Sequence, residues 1–356
     1  MSKVISRRKA LATGAAGMLM GTACSRKEQQ NAVEVSQKQP TNPPFLSPWS
    51  PPSDLKRDLT PGQTPIRLAS WSSPTTLRYK RDSDESITDI IKRVREYGYT
   101  STNSSISHSP WLNATEAEIK ELKEAMDKYD VTFFDMHTTG SNIHPDPKER
   151  ESVYRYTIES CEAAERLGCV PMVTTHTGNA GEGPAFYFNE NNWTWETWKE
   201  SVNVMNKILK DTAGMKVELG VEATNMTAMN GPKPHLQLIE ECGDPRLKVC
   251  LDPVNMINLS RYARSTELIE ECFDLLGENI IAAHAKDSYI LQQMSVYITE
   301  VAPGKGVIDY ETFLVRLSRL GSPRTLLIEH IPDDQYPEAK KFIEETAASL
   351  GVTIYS

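Results

Sequence analysis

Four short apolar runs in this chain each end on a side chain that can bind a cation or move a proton. Leu219-Gly220-Val221 leads into Glu222, Val249-Cys250-Leu251 into Asp252, Ala282-Ala283 into His284 and Leu327-Ile328 into Glu329. The intervals are 30, 32 and 45 residues, each one strand–helix unit, the last lengthened by the loop 286–305. Any one of these residues could simply bond to a neighbouring loop. Four at successive strand ends point to a shared site. Three carboxylates brought together repel and are costly to desolvate, and one divalent cation resolves that cost. An oxygen-rich set with a single imidazole suits manganese first, then magnesium, cobalt or iron, and tolerates zinc.

The same kind of position holds other candidates. His137 and His176 end the third and fourth apolar runs, where they could bond substrate hydroxyls or relay a proton. Trp71 closes the first run and offers a face on which a sugar ring can stack. Asn255 follows Asp252 by three and can donate to a ligand oxygen. Lys286 follows His284 by two and could steady an enolate oxygen, or pair with Asp287. Trp193, Trp195 and Trp198 read as a lid or as rim packing, and Lys305, between two glycines, reads as part of a turn before the Asp309 cap, with a phosphate contact as the alternative.

The elements that must position these residues alternate from residue 66 onward. Apolar runs that suit buried parallel strands are 66–71, 100–106, 131–137, 170–176, 217–223, 247–252, 280–285 and 325–330. Helical periods separate them, as at 86–97, where Ile87, Ile90, Ile91 and Val94 form one stripe. Thr115 with Glu118 is a capping box, and Asp309 a cap for the seventh helix. Eight such units predict an α/β fold, one (β/α)8 TIM barrel. A doubly wound open sheet is the rival. It would gather polar residues at one switch point, whereas here they recur at strand ends through the whole series.

Val217–Glu222, Lys248–Asn255, Ala283–Asp287, Gly304–Tyr310 and Leu327–His330 resemble the xylose-isomerase-like TIM-barrel superfamily, the sugar phosphate isomerase/epimerase group. The resemblance implies one metal ion on Glu222, Asp252, His284 and Glu329, with the two glutamates also moving protons at a substrate carbon. Endonuclease IV, in the same superfamily, binds three zinc ions. It has a histidine where this chain has Asn255, and its later Asp-x-His pair has no counterpart in 286–310.

Composition bounds the function class. The formal net charge is −9, and −13 without the four basic residues of 1–24, so no nucleic-acid partner is expected. No window holds the roughly 18 consecutive apolar residues of a membrane-spanning helix. Residues 1–24 read as an export signal: Ser6-Arg7-Arg8-Lys9 resembles the twin-arginine motif, and Gly21-Thr22-Ala23-Cys24 partly resembles a lipoprotein cleavage box. Residues 25–64, rich in proline, read as a disordered tether, and 65–356 as the barrel. The other five cysteines form no CxxC and read as buried thiols. The expectation is an exported protein, periplasmic or held to the membrane by a lipid on Cys24. The expected activity is that of a metal-dependent isomerase or epimerase of an unphosphorylated sugar or keto-sugar, with a small carbohydrate as partner. A dehydratase or lyase on a keto-glycoside and a non-catalytic sugar-binding lipoprotein stand as alternatives. Oligomeric state, and which glutamate is the base, are left open.

Overall fold

The computed structural model describes residues 56–81, 83–104 and 109–355. The export signal, Cys24 and most of the tether lie outside the described residues. Eight parallel strands form a nearly closed barrel: β1 (Ile66–Ser70), β2 (Ser101–Asn103), β3 (Thr132–Asp135), β4 (Met172–His176), β5 (Glu218–Glu222), β6 (Leu247–Leu251), β7 (Ile280–Ala285) and β10 (Arg324–Ile328). They pair in the order β1-β10-β7-β6-β5-β4-β3-β2. Across the remaining seam Thr100 N donates to Leu68 O at 3.0 Å. The C-terminus returns to the same strand, where Ile66 bridges Ile354.

Helices pack outside the strands: α1 (Ile87–Glu96), α2 (Ser109–Leu112), α3 (Glu116–Tyr129), α4 (Pro147–Leu167), α5 (Trp195–Asp211), α6 (Pro232–Cys242), α7 (Ser265–Leu276), α8 (Tyr310–Ser318) and α9 (Tyr336–Leu350). Their starts follow the caps. Thr115 and Glu118 form the expected box, Ser86 and Asp89 form a second, and the Asp309 carboxylate accepts from Thr312 N. The apolar stripe Ile87, Ile90, Ile91 and Val94 is buried, and burial of such a face, more than propensity, holds a surface helix in place.

Inside the barrel, alternation sets two layers. Ala69, Phe134, Met172, Cys250, Ala282 and Leu327 form a compact plug. Two residues beyond Ala69, Met172, Cys250, Ala282 and Leu327 come Trp71, Thr174, Asp252, His284 and Glu329, on the same face because side chains repeat every second residue. Gly220 is the plug's small member on β5. A Cβ there would stand 2.5 Å from Met172 Sδ, so its lack of a side chain makes room for the methionine.

Two segments differ from the sequence reading. The stretch after β7, read as a long loop, folds into an antiparallel hairpin, β8 (Asp287–Ile290) with β9 (Ile298–Val301). Asp287 closes its base by accepting the backbone N–H groups of Ser288, Gly304, Gly306 and Ile308 at 2.8–3.1 Å. Gly306 must be glycine, because a Cβ would lie 2.2 Å from Ser288 O. The last residues of the expected tether also pack on the barrel: Gly62 N donates to Ser318 Oγ, Thr64 N to Ser318 O, and Arg319 to the carbonyls of Asp58 and Thr60.

Candidate metal centre and active site

Glu222 ends β5, Asp252 follows β6, His284 lies within β7 and Glu329 follows β10. Each offers a ligand atom within 4.8 Å of the others, and all four are buried. His284 Nδ1 sits 3.2 Å from Glu329 Oε1, 3.3 Å from Glu222 Oε1 and 3.8 Å from Asp252 Oδ2. It is buried without a well-formed hydrogen bond. An orphaned imidazole nitrogen facing three carboxylate oxygens at these spacings fits donors that share one ion at bond lengths of roughly 2.0–2.3 Å. The residues present therefore fit a divalent cation.

The support around the four is specific. His284 Nε2 contacts Cys250 Sγ at 3.2 Å, which leaves Nδ1 for the cluster. Asp252 Oδ1 accepts from Val254 N and Asn255 N at 2.9 and 3.2 Å. Asn255 Nδ2 donates to Glu222 Oε1 at 2.7 Å. Lys286 is fully buried, with Nζ 2.9 Å from Asp252 Oδ2 and 3.0 Å from Glu329 Oε1 and Glu300 Oε1. Its ammonium offsets one of the three cluster charges, and one divalent ion offsets the other two.

The electrostatics follow from this crowding. Burial pushes the Glu222 carboxyl up, but His284 and His176 beside it bring it down to about 2. Burial likewise opposes ionisation of Glu329, and His284, Lys286 and His330 hold it well below the usual carboxylate range. The His284 ring, lowered by burial, is lifted well above its ordinary value by the carboxylates beside it, Glu329 and Glu222. Burial disfavours the Lys286 ammonium, yet Asp252, Glu329 and Glu300 keep it charged. The Glu222 and Glu329 carboxylates are thus ionised and available as ligands or bases. Burial pushes the Cys250 thiol up to about 12, so it acts as a neutral neighbour.

Residues 91–346 match the family described as Xylose isomerase-like TIM barrel. The chain belongs to that family. Solved structures with a similar fold include a xylose isomerase-like TIM barrel protein from Mycobacterium smegmatis in complex with magnesium, 12% identical, covering 80% of this chain and 96% of that one with a TM-score of 0.58. Another is a D-tagatose 3-epimerase-like protein, 17% identical, covering 80% and 98% with a TM-score of 0.57. A third is 3-keto-D-glucoside 4-epimerase from E. coli, 16% identical, covering 80% and 99% with a TM-score of 0.52. At these identities the likeness is one of fold. No curated protein matches the sequence.

In this family member the cluster lies at the inner end of a cavity of about 870 Å³. Trp71, His137, His176, Asn255, Glu222 and Glu329 all line it. Trp71 meets His137 edge to face at 5.2 Å, and His137 meets His176 at 5.6 Å. His137, His176 and Glu222 form a second group whose ligand atoms lie within 4.8 Å, with His176 Nε2 3.8 Å from Glu222 Oε2. Burial holds the His176 ring down to about 4, so it stays neutral.

Other candidates are placed elsewhere. Lys286 does not line the cavity and does not pair with Asp287: it lies beneath the ligands, because Asp252, Glu329 and Glu300 converge on it. Trp198 is buried on α5 with its Nε1 on Glu241, while Trp193 and Trp195 are exposed and do not line the cavity. Lys305 pairs with Glu338 on the surface. The five described cysteines are free thiols.

The sequence reading missed Glu300 and His330. Glu300, on β9, joins Lys286 to His330 Nδ1 at 3.1 Å. His330 adopts a left-handed φ of 57°, an uncommon conformation for a non-glycine residue that turns the chain directly after Glu329. The β-branched residues Ile298, Thr299 and Val301 were the available signal for β9.

Proposed function

We propose that this protein is a divalent-metal-dependent isomerase or epimerase of an unphosphorylated sugar or keto-sugar. One observation carries the reading. Of the four convergent donors, only Glu222 and Glu329 line the cavity, while Asp252 and His284 lie behind them. The arrangement divides the labour: two residues anchor, and two both anchor and face substrate. A divalent ion held by these four residues supplies Lewis-acid stabilisation of the charge that develops on a substrate carbonyl oxygen. One glutamate carboxylate takes the proton from the adjacent carbon and the other returns it, at the same carbon or the next. His137 and His176 present ring nitrogens to sugar hydroxyls, and Trp71 offers its face to the ring. Lys286 holds Asp252 and Glu329 in place from below. Among the described lining residues there is no lysine or arginine, which argues against a phosphorylated substrate.

The test is incubation of the manganese-loaded protein with ketoses and 3-keto-glycosides in deuterated water. Deuterium at the carbon beside the carbonyl supports the reading, and its position separates epimerisation from isomerisation. A metal-loaded protein that exchanges no C–H in any of them overturns it. The cavity extends well beyond the cluster, which favours elimination of a substituent as a second reading. Release of the aglycone alongside exchange identifies that outcome. In this reading the chain works outside the cytoplasm, directed by Arg7 and Arg8. Arg7→Lys with Arg8→Lys should trap precursor inside the cell, and unimpaired export would refute that part.

A further inference from the structure

The outer part of the cavity has a different chemistry from the inner part. Phe186, Met226, Leu259, Val296 and Tyr297 all line it, and they are 49%, 44%, 36%, 58% and 57% exposed. They come from four separate connections: the segment after β4, those after β5 and β6, and the tip of the β8–β9 hairpin. A single exposed apolar residue needs no explanation, but five converging on the mouth of one cavity form a patch of the kind that marks a ligand groove or an interface. The charged residues among the described lining are Glu222, Glu300 and Glu329, with His330 paired to Glu300, all near the cluster. The volume, about 870 Å³, lies toward the top of the roughly 300–1,000 Å³ typical of small-molecule sites. A lone hexose, on the order of 200 Å³, would leave most of it to water against apolar walls.

We infer that the outer part is an aglycone subsite: the substrate is an uncharged sugar carrying an apolar group, aromatic or alicyclic, that lies among Phe186, Met226, Leu259, Val296 and Tyr297. The inference rests on the sugar reading for its inner end alone. Concavity and continuity with the ligand cluster favour a small molecule over a second protein surface. The absence of described lysine or arginine from the lining disfavours a phosphate or carboxylate substituent.

The experiment compares two probes that differ only in the aglycone, the phenyl and methyl β-glycosides of 3-keto-glucose, titrated calorimetrically into the manganese-loaded full chain. Phenyl should bind roughly ten-fold or more tightly than methyl, because it adds apolar area removed from water. In Val296→Ser/Tyr297→Ser, on an exposed hairpin tip, that ratio should fall to near one. Leu259→Ser gives an independent check from another loop. Equal affinities in the wild type, or a phenyl preference unchanged in both variants, overturn the subsite. So does a result in which neither probe binds and the variants change only the oligomeric state by light scattering, since the face is then a contact between copies. Deuterium exchange on the same probes keeps the two proposals apart. Exchange without phenyl preference refutes the subsite and leaves the reaction standing. Phenyl preference without exchange does the reverse.

Discussion

The inner and outer ends of the cavity are built by opposite means. At the inner end, Glu222, Asp252, His284 and Glu329 sit at or just past the ends of hydrogen-bonded strands and are almost wholly buried. The plug of Met172, Cys250, Ala282 and Leu327 lies one layer below them. At the outer end, Phe186, Leu259, Val296 and Tyr297 hang from connections and stand half in water. The contrast follows from cost. Three carboxylates held close together need rigid ladders and compensating charge, since each ångström of slack loses coordination but not repulsion. Apolar contact is non-directional, so loops suffice for it.

The sharpest way to break this contrast is at the inner end. Glu222→Gln and Glu329→Gln are nearly isosteric but cannot serve as bases. Each should lower turnover on the order of 10²–10⁴-fold, with metal content measured in the same samples so that lost ligation is not mistaken for lost proton transfer. A variant that keeps its metal and exchanges C–H at the wild-type rate would remove that glutamate from the chemistry.

Next in size is the buried cation. Lys286→Met leaves Asp252 and Glu329 without their ammonium partner, and the metal-free protein should lose about 3–5 kcal/mol. Added Mn²⁺ should recover part of it. Urea unfolding with and without the ion measures both, and a metal-free variant as stable as the wild type would show that Lys286 does not hold the cluster together.

A smaller effect tests the wall behind β5. His235 on α6 contacts Val221 O through Nε2, and burial lowers its ring to about 4 against an ordinary 6.5. The folded protein keeps this ring neutral where the unfolded chain takes up a proton. Its penalty is absent above pH 6.5 and grows as pH falls from there toward 4. Between pH 7 and 5 the wild type should lose roughly 1–2 kcal/mol more than His235→Gln. Parallel losses in the two would mean that this ring is not held neutral.

Smallest of all is the outer end. Met294, at the hairpin tip, is fully exposed, and Met294→Ser should change stability by no more than about 0.5 kcal/mol. A drop of several times that in thermal unfolding would show the hairpin to be part of the core, and the contrast would dissolve.

Legibility in the sequence divides along the same line. The four cluster residues were readable because each stands at the end of its own apolar run, one per βα unit, and closure of a barrel brings strand ends around one axis. Trp71, His137, His176 and Asn255 were singled out by position in the same way, and the structure places all four in the cavity lining. Lys286 was recognised as near the site, read as steadying an enolate oxygen or pairing with Asp287, and does not line the cavity. Its real partners, Asp252, Glu329 and Glu300, are 34, 43 and 14 residues away. The tryptophans drew attention by size, whereas Phe186 and Tyr297, equally plain in the sequence, are the aromatics that reach the cavity wall together with Trp71.

By itself the sequence determined the eight alternating units, the α/β class and the residues that crown the strands, because period-two and period-3.6 burial are local signals carried by neighbours in the chain. Only the tertiary structure decided which cation sits under the ligands, that the segment after β7 is a hairpin whose Glu300 reaches Lys286, and which apolar side chains wall the outer cavity. Those contacts join residues brought together by barrel closure and by loops of different strands. The free energy that selects them is the burial and charge compensation of the assembled mouth, which no single segment experiences alone.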